Sequence, residues 1–208
     1  MKIEITGIEN GAPIPDRFCS MAPDRFLVTK PGPNVSPEVR WTELPEGTKS
    51  LAIILEDRDA PADGTNVNRP GTVLPEDMER TSFHHWVLVD IPPAIGAVAE
   101  GVEGNGFERG GKPLTRQSYG LRGANDFAVW FASNPEMAGA YGGYFGPAPP
   151  SNDERVHAYH YRVFALDIDT LGLSGNFNAA AVLQAMEGHI VGEAEVVGTC
   201  TLNPRLRA

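Results

Sequence analysis

Three short stretches hold the residue types that can do chemistry: Asp57-Arg58-Asp59-Ala60-Pro61, His84-His85-Trp86 and His157-Ala158-Tyr159. Carboxylates, imidazoles and a phenol can grip a small anion through N–H and O–H donors, hold zinc or iron, or pass protons. No compact metal signature is present: the chain lacks His-Glu-x-x-His, clustered cysteines and EF-hand spacing. The Gly-x-Ser-x-Gly elbow that exposes a serine nucleophile is also missing. A metal- or imidazole-assisted hydrolase on the same His and Asp residues stays open as the alternative to simple binding. For any single histidine an ordinary hydrogen-bonded role is the default, so a site requires several of them to converge.

The elements that must position these residues read as strands. Gly and Pro number 23 and 18, which suits short extended segments joined by many turns. Candidate strands cover residues 2–6, 50–56, 84–91, 159–167 and 193–201, and the one clear helix covers 178–187, capped by Asn176 or Asn178 and stopped by Gly188. Leu51-Ala52-Ile53-Ile54-Leu55 is apolar throughout, as expected of a central strand covered on both faces. Strand alternation sends His84 and His85 to opposite faces, and likewise separates His160 from Tyr159 and Tyr161. Ala60-Pro61 biases the chain toward a fixed bend after the 50–56 strand and permits a cis peptide, while Gly146, Pro147, Pro149 and Pro150 form a rigid turn before the last motif. Residues 62–82 and 101–121 are long polar excursions, which are uncommon unless they shape a site or an interface.

With 208 residues, one domain over 1–208 is expected. A net charge of -10 argues against nucleic acid and anionic membranes as partners. No run approaches the length needed to cross a bilayer, and a cytoplasmic protein is expected. Cys19 and Cys200, near opposite ends, are read as buried or free thiols, with a terminus-to-terminus disulfide unsupported by sequence. Gly106-Phe107-Glu108-Arg109-Gly110-Gly111-Lys112 has phosphate-loop spacing, but Pro113 stands where Ser or Thr is needed, so a flexible surface loop is the expectation.

Together the motifs resemble the phosphatidylethanolamine-binding protein family, in its bacterial Raf-kinase-inhibitor-like branch. The residues that match are Asp57-Arg58-Asp59-Ala60-Pro61, His85-Trp86, Asn125-Asp126-Phe127, Gly146 with Pro149-Pro150, and His157-Ala158-Tyr159, spanning roughly residues 14–201. Arg58 departs from the family's Pro and Ala158 from its Arg. The resemblance implies an antiparallel β-sandwich-like fold and a pocket for phosphate or a phospholipid headgroup. By position it implies Asp57, His85, His157 and Tyr159 as pocket residues, with Asp59, Pro61, Gly146 and Pro149 shaping the wall. In this reading His85, His157 and Tyr159 donate to the anion, and Asp57 orients an imidazole or meets an ammonium. No catalytic residue, metal or cofactor is expected; a kinase or protease partner and a homodimer are further implications of the resemblance alone.

Overall fold

The computed structural model describes residues 1–24 and 28–207. The strands are β1 (Lys2–Ile5), β2 (Met21–Pro23), β3 (Thr29–Pro31), β4 (Val39–Thr42), β5 (Ser50–Pro61), β6 (Arg80–Ile91), β7 (Ala97–Val98), β8 (Arg116–Gln117), β9 (Gly120–Arg122), β10 (His157–Leu166) and β11 (Ile190–Cys200). Two short α-helices, α1 (Phe127–Trp130) and α2 (Ala179–Ala185), and two 3-10 turns, Asp16–Phe18 and Pro93–Ile95, complete the described elements. The main sheet has six strands in the order β11-β10-β5-β6-β9-β8, the second has three in the order β1-β4-β7, and β2 pairs with β3. All these pairings are antiparallel. The protein is mainly β.

Strand β5 is apolar on both faces because both are covered. Leu51, Ile53 and Leu55 enter a core shared with Ile5, Val39, Trp41 and Val98 of the smaller sheet. Ala52 and Ile54 enter a second core with Phe164, Val182 and Met186, beneath α2. Each large side chain so buried contributes about 1.5–3 kcal/mol, which a polar residue in the run would forfeit. Helix α2 begins where expected: the Asn178 side chain accepts the Ala181 N–H at 3.2 Å, and Gly188 at φ 79° follows the helix.

Three expectations change. Strand β5 continues to Pro61, so the acidic pair lies within the strand rather than in a bend beyond it, and no cis peptide occurs among the described residues. Strand β6 starts at Arg80, which trims the first excursion to 62–79. Helix α1 and the short strands β2 to β4 and β7 to β9 are too brief to develop a readable period and escape the sequence analysis.

Irregular pairing between β5 and β6 prepares the site. Leu55 pairs with Trp86 but Glu56 pairs with His84, so His85 is the extra residue of a bulge; a second shift falls between Asp57 and Ala60. A bulge re-aims side chains and breaks strict alternation. His85 therefore packs against Tyr159, which shares the inner core with Trp86, while His84 turns away to Asp126, bonding Asp126 Oδ2 at 2.9 Å through Nδ1.

Candidate functional site

The ends of β5, β6 and β10 converge on a cavity of about 250 Å³. Its polar residues are Asp57, His85 and His157, with Asn68 from the first excursion. Aromatic walls come from Phe83, Phe127, Trp130, Phe131, Phe145 and Phe107, and a further side is formed by Ala148, Pro149 and Pro150. Neither Arg nor Lys lines the cavity, nor does Ser, Thr, Cys or Tyr, so no hydroxyl or thiol nucleophile faces it among the described residues. Nor is any group of three or more His, Cys, Asp or Glu among those residues placed to hold a metal ion.

His85 is held from one side. Its Nδ1 lies 2.8 Å from the Phe145 carbonyl oxygen and 3.2 Å from that of Gly146, so Nδ1 carries the proton and donates to both. Burial lowers the pKa below its ordinary 6.5. At neutral pH the ring is uncharged and Nε2 presents a lone pair; below the shifted pKa it presents an N–H.

His157 is used up internally. Nδ1 bonds Asp57 Oδ2 at 2.7 Å and Nε2 bonds Asp153 Oδ2 at 3.1 Å. Burial pulls its pKa down, but the bonds to Asp153 and Asp57 outweigh that and hold it at about 9. Asp153 is in turn gripped by Arg80 through Nη1 and Nη2 at 2.6 and 3.0 Å. Although burial raises the Asp153 pKa, His157 and Arg80 bring it down to about 2. The buried line Asp57, His157, Asp153, Arg80 thus alternates in charge. The Arg80 Nε has no partner among the described residues.

The residues singled out by sequence divide into two groups. Asp57, Pro61, His85, Pro149 and His157 line the cavity. Asp59, Gly146 and Tyr159 stand behind it. The Asp59 carboxylate accepts the Ala158 N–H at 2.8 Å and pairs with Arg155 at 2.8 Å, tying β5 to the start of β10. Gly146 is glycine because a Cβ there would overlap the Phe18 carbonyl oxygen; the close neighbour is this chain's own backbone. Tyr159 is fully buried, and its hydroxyl has no hydrogen-bond partner among the described residues. Burial raises its pKa, and the Asp57 carboxylate adds to this without meeting hydrogen-bond geometry. The donor roles expected from the motif are not met as drawn: both His157 nitrogens are engaged by carboxylates, and the Tyr159 hydroxyl is buried.

Sequence reasoning missed Asn68 and the aromatic wall. Asn68 sits at φ 54°, a left-handed conformation that Asn tolerates. Its Oδ1 accepts the Ser151 N–H at 2.8 Å and the Ser151 Oγ–H at 2.9 Å, which fixes the amide and leaves Nδ2 without a partner among the described residues. Asn152 Nδ2 donates to Asn66 O at 2.9 Å and to Thr72 O at 3.2 Å, so the excursion is stitched to the Pro-rich turn. The second excursion gives up Phe107, whose ring packs 5.1 Å from Phe145, while Lys112 pairs with Glu108 at 3.3 Å. The glycine-rich segment is thus a cavity wall rather than a free surface loop. Only the Asn-rich composition of 66–68 and the aromatics near Asn125 hinted at these roles.

The fold is thus mainly antiparallel β with an aromatic-walled cavity at the strand ends. The phosphatidylethanolamine-binding protein family profile matches residues 4–201, and the chain belongs to that family. A UPF0098 protein of Methanothermobacter thermautotrophicus is 34% identical over 176 residues, covering 85% of this chain and 87% of the relative. One from Aquifex aeolicus is 29% identical over 199 residues, covering 95% and 86%. The crystal structure of Escherichia coli YbcL, described as a member of the mammalian PEBP family, superposes with TM-score 0.68 at 24% identity, covering 96% of this chain and 97% of that one. The Chlamydia trachomatis homolog CT736 gives 0.64 at 24%, covering 95% of each chain. These superpositions show the fold. Neither the family description nor the relatives' names carry an enzymatic activity.

Proposed function

We propose that the protein binds a small phosphate-bearing ligand, a phosphate monoester or phospholipid headgroup, with an anionic oxygen on His85 Nε2 and the organic remainder against the aromatic and proline walls. The observation that carries this is the tethering of His85: two backbone carbonyls occupy Nδ1 and leave Nε2 as the ring nitrogen open to a ligand. Asn68 Nδ2 supplies a second donor. Asp57 does not repel the anion as a bare carboxylate would, because the His157 imidazolium neutralises it from behind. Charge-assisted hydrogen bonds contribute about 1.5–3 kcal/mol each, so Asn68 and a His85 that takes up a proton at Nε2 on binding, together with apolar contact, support weak to moderate affinity after the costs of protonation and association.

The test is calorimetric titration of phosphoethanolamine and inorganic phosphate into the protein and its His85→Ala variant. Loss of one charge-assisted bond lowers affinity by roughly 10- to 100-fold. Equal affinity in both proteins moves the ligand away from His85. Turnover of p-nitrophenyl phosphate that disappears with His85→Ala replaces binding by the hydrolase alternative.

A further inference from the structure

Cys19 and Cys200 lie 181 residues apart in sequence, yet their Sγ atoms are 3.9 Å apart in the folded chain. Cys19 caps the short 3-10 turn Asp16–Phe18, and Cys200 ends β11 opposite His157 in the strand register. Both are free thiols, and both are buried. An S–S bond is about 2.05 Å long, so closing the pair brings the sulfurs together by about 2 Å, on the scale of side-chain rotation plus slight backbone adjustment.

We propose that Cys19 and Cys200 form a redox-active pair that a peroxide-class oxidant closes into a disulfide, clamping the amino-terminal segment onto the β10–β11 pair. Cys200, 9% exposed against 1% for Cys19, meets the oxidant first. Its thiolate attacks one oxygen of hydrogen peroxide; the O–O bond breaks, and the departing hydroxide takes up a proton to leave as water. Cys200 is then a sulfenic acid, oxidised by two electrons. The Cys19 sulfur attacks the Cys200 sulfur, the S–O bond breaks, and the hydroxyl departs as a second water with the Cys19 proton. Two thiols and one peroxide thus yield one disulfide and two waters. The bond to Cys200 and burial push the Cys19 thiol well above its ordinary pKa, so it keeps its proton until that second step. Burial makes the reaction slow and dependent on local opening.

The clamp reaches the cavity from behind. Ser20, next to Cys19, donates its hydroxyl to the Gly146 carbonyl at 2.8 Å and its N–H to the Pro147 carbonyl at 3.1 Å, and the Gly146 oxygen also accepts from His85. Met21 follows and lines the cavity.

The full chain is treated with hydrogen peroxide, denatured, and assayed for thiols, intact mass and tryptic cross-links. The expected result is loss of both thiols, a mass lower by two hydrogens, a Cys19–Cys200 cross-linked peptide, and reversal by dithiothreitol. A link closing so long a loop raises the melting temperature by roughly 5–10 °C, and that rise is absent from Cys200→Ser. The cross-linked peptide in the native sequence does not depend on the variant folding. Retention of both thiols, oxygen addition at a single sulfur, intermolecular disulfides, or a melting temperature unchanged on cross-linking overturns the proposal.

Discussion

At the residue scale, the two motif histidines have opposite electrical lives. His157 is protonated through neutral pH by its two carboxylates, while His85 is kept neutral by burial. Proton uptake on binding an anion therefore falls to His85, whose pKa lies below 6.5 in the free protein. Affinity is expected to rise as the pH falls from about 7.5 to about 5.5, by at most about tenfold per unit. Sulfate, which keeps its charge over that range, separates the protein's titration from the ligand's; flat sulfate affinity by calorimetry rejects His85 as the protonated donor. Asn68→Asp keeps the oxygen that Ser151 holds but exchanges the Nδ2 donor for negative charge, so phosphoethanolamine binding should weaken about tenfold with the melting temperature unmoved. Alternation along the strand was enough to part His84 from His85 on paper. Which nitrogen of His85 stays open depends on carbonyls 60 and 61 residues away, beyond any local pattern.

At the scale of elements, the two excursions and the Pro-rich turn act as one wall. Asn152 bonds three backbone or hydroxyl oxygens of residues 66 and 72 and also accepts the Asn68 N–H. Asn152→Ala should free residues 66–72 to exchange amide hydrogens faster and weaken ligand binding several-fold, with protection in β5 and β10 unchanged. Hydrogen exchange by mass spectrometry reads this directly, and unaltered protection across 66–72 contradicts the wall. Gly146→Ala should cost about 3 kcal/mol or more, because the new methyl meets the backbone of Phe18 and the Tyr144 hydroxyl, neither of which is the free end of a flexible chain. Chemical denaturation measures it; a loss under about 1 kcal/mol shows that the turn can yield. The second excursion is anchored by buried Glu103, which accepts from Arg122 Nε at 2.8 Å and from the Tyr119 hydroxyl at 2.8 Å. Its Gly- and Arg-rich composition reads as loop because a single buried acid and its partners leave no periodic trace.

At the scale of the whole molecule, the buried charge line links stability to pH. His157 has its folded pKa raised from 6.5 to about 9, so its contribution is complete below 6.5 and is lost as the pH rises through 9. Asp153 has its folded pKa lowered from 3.8 to about 2, so its contribution is present above 3.8 and is lost as the pH falls through 2. Stability from these groups should therefore peak between about pH 4 and about pH 6.5 and decline by on the order of 2–3 kcal/mol toward pH 9.5, the two contributions overlapping because they share one hydrogen bond. Replacing His157 with Ala leaves Asp57 without its charged partner in the interior, while Asp153 keeps Arg80, and should remove about 3–5 kcal/mol, so it probes folding rather than binding. Thermal melts that stay level from pH 5 to about pH 9.5 rule out a charged, doubly bonded His157. Among the described residues no helix is long and apolar enough to cross a membrane.

The chain's own letters were sufficient for the β class, the doubly covered strand at 51–55 and a helix over 178–187 capped by Asn176 or Asn178, whereas one pocket for the motifs was implied by the family resemblance alone. The class, strand and helix rest on local conformational preference and apolar period, which act between near neighbours. Tertiary structure alone decided that His157 is sealed between Asp57 and Asp153, that Tyr159 turns its hydroxyl into the core, that Asn68 and Phe107 complete the cavity, and that Cys19 touches Cys200. Apart from the His157–Asp153 bond, which spans four residues, these contacts are set by packing and hydrogen bonds between segments tens of residues or more apart, where strand register and a bulge, not composition, determine which side chains meet.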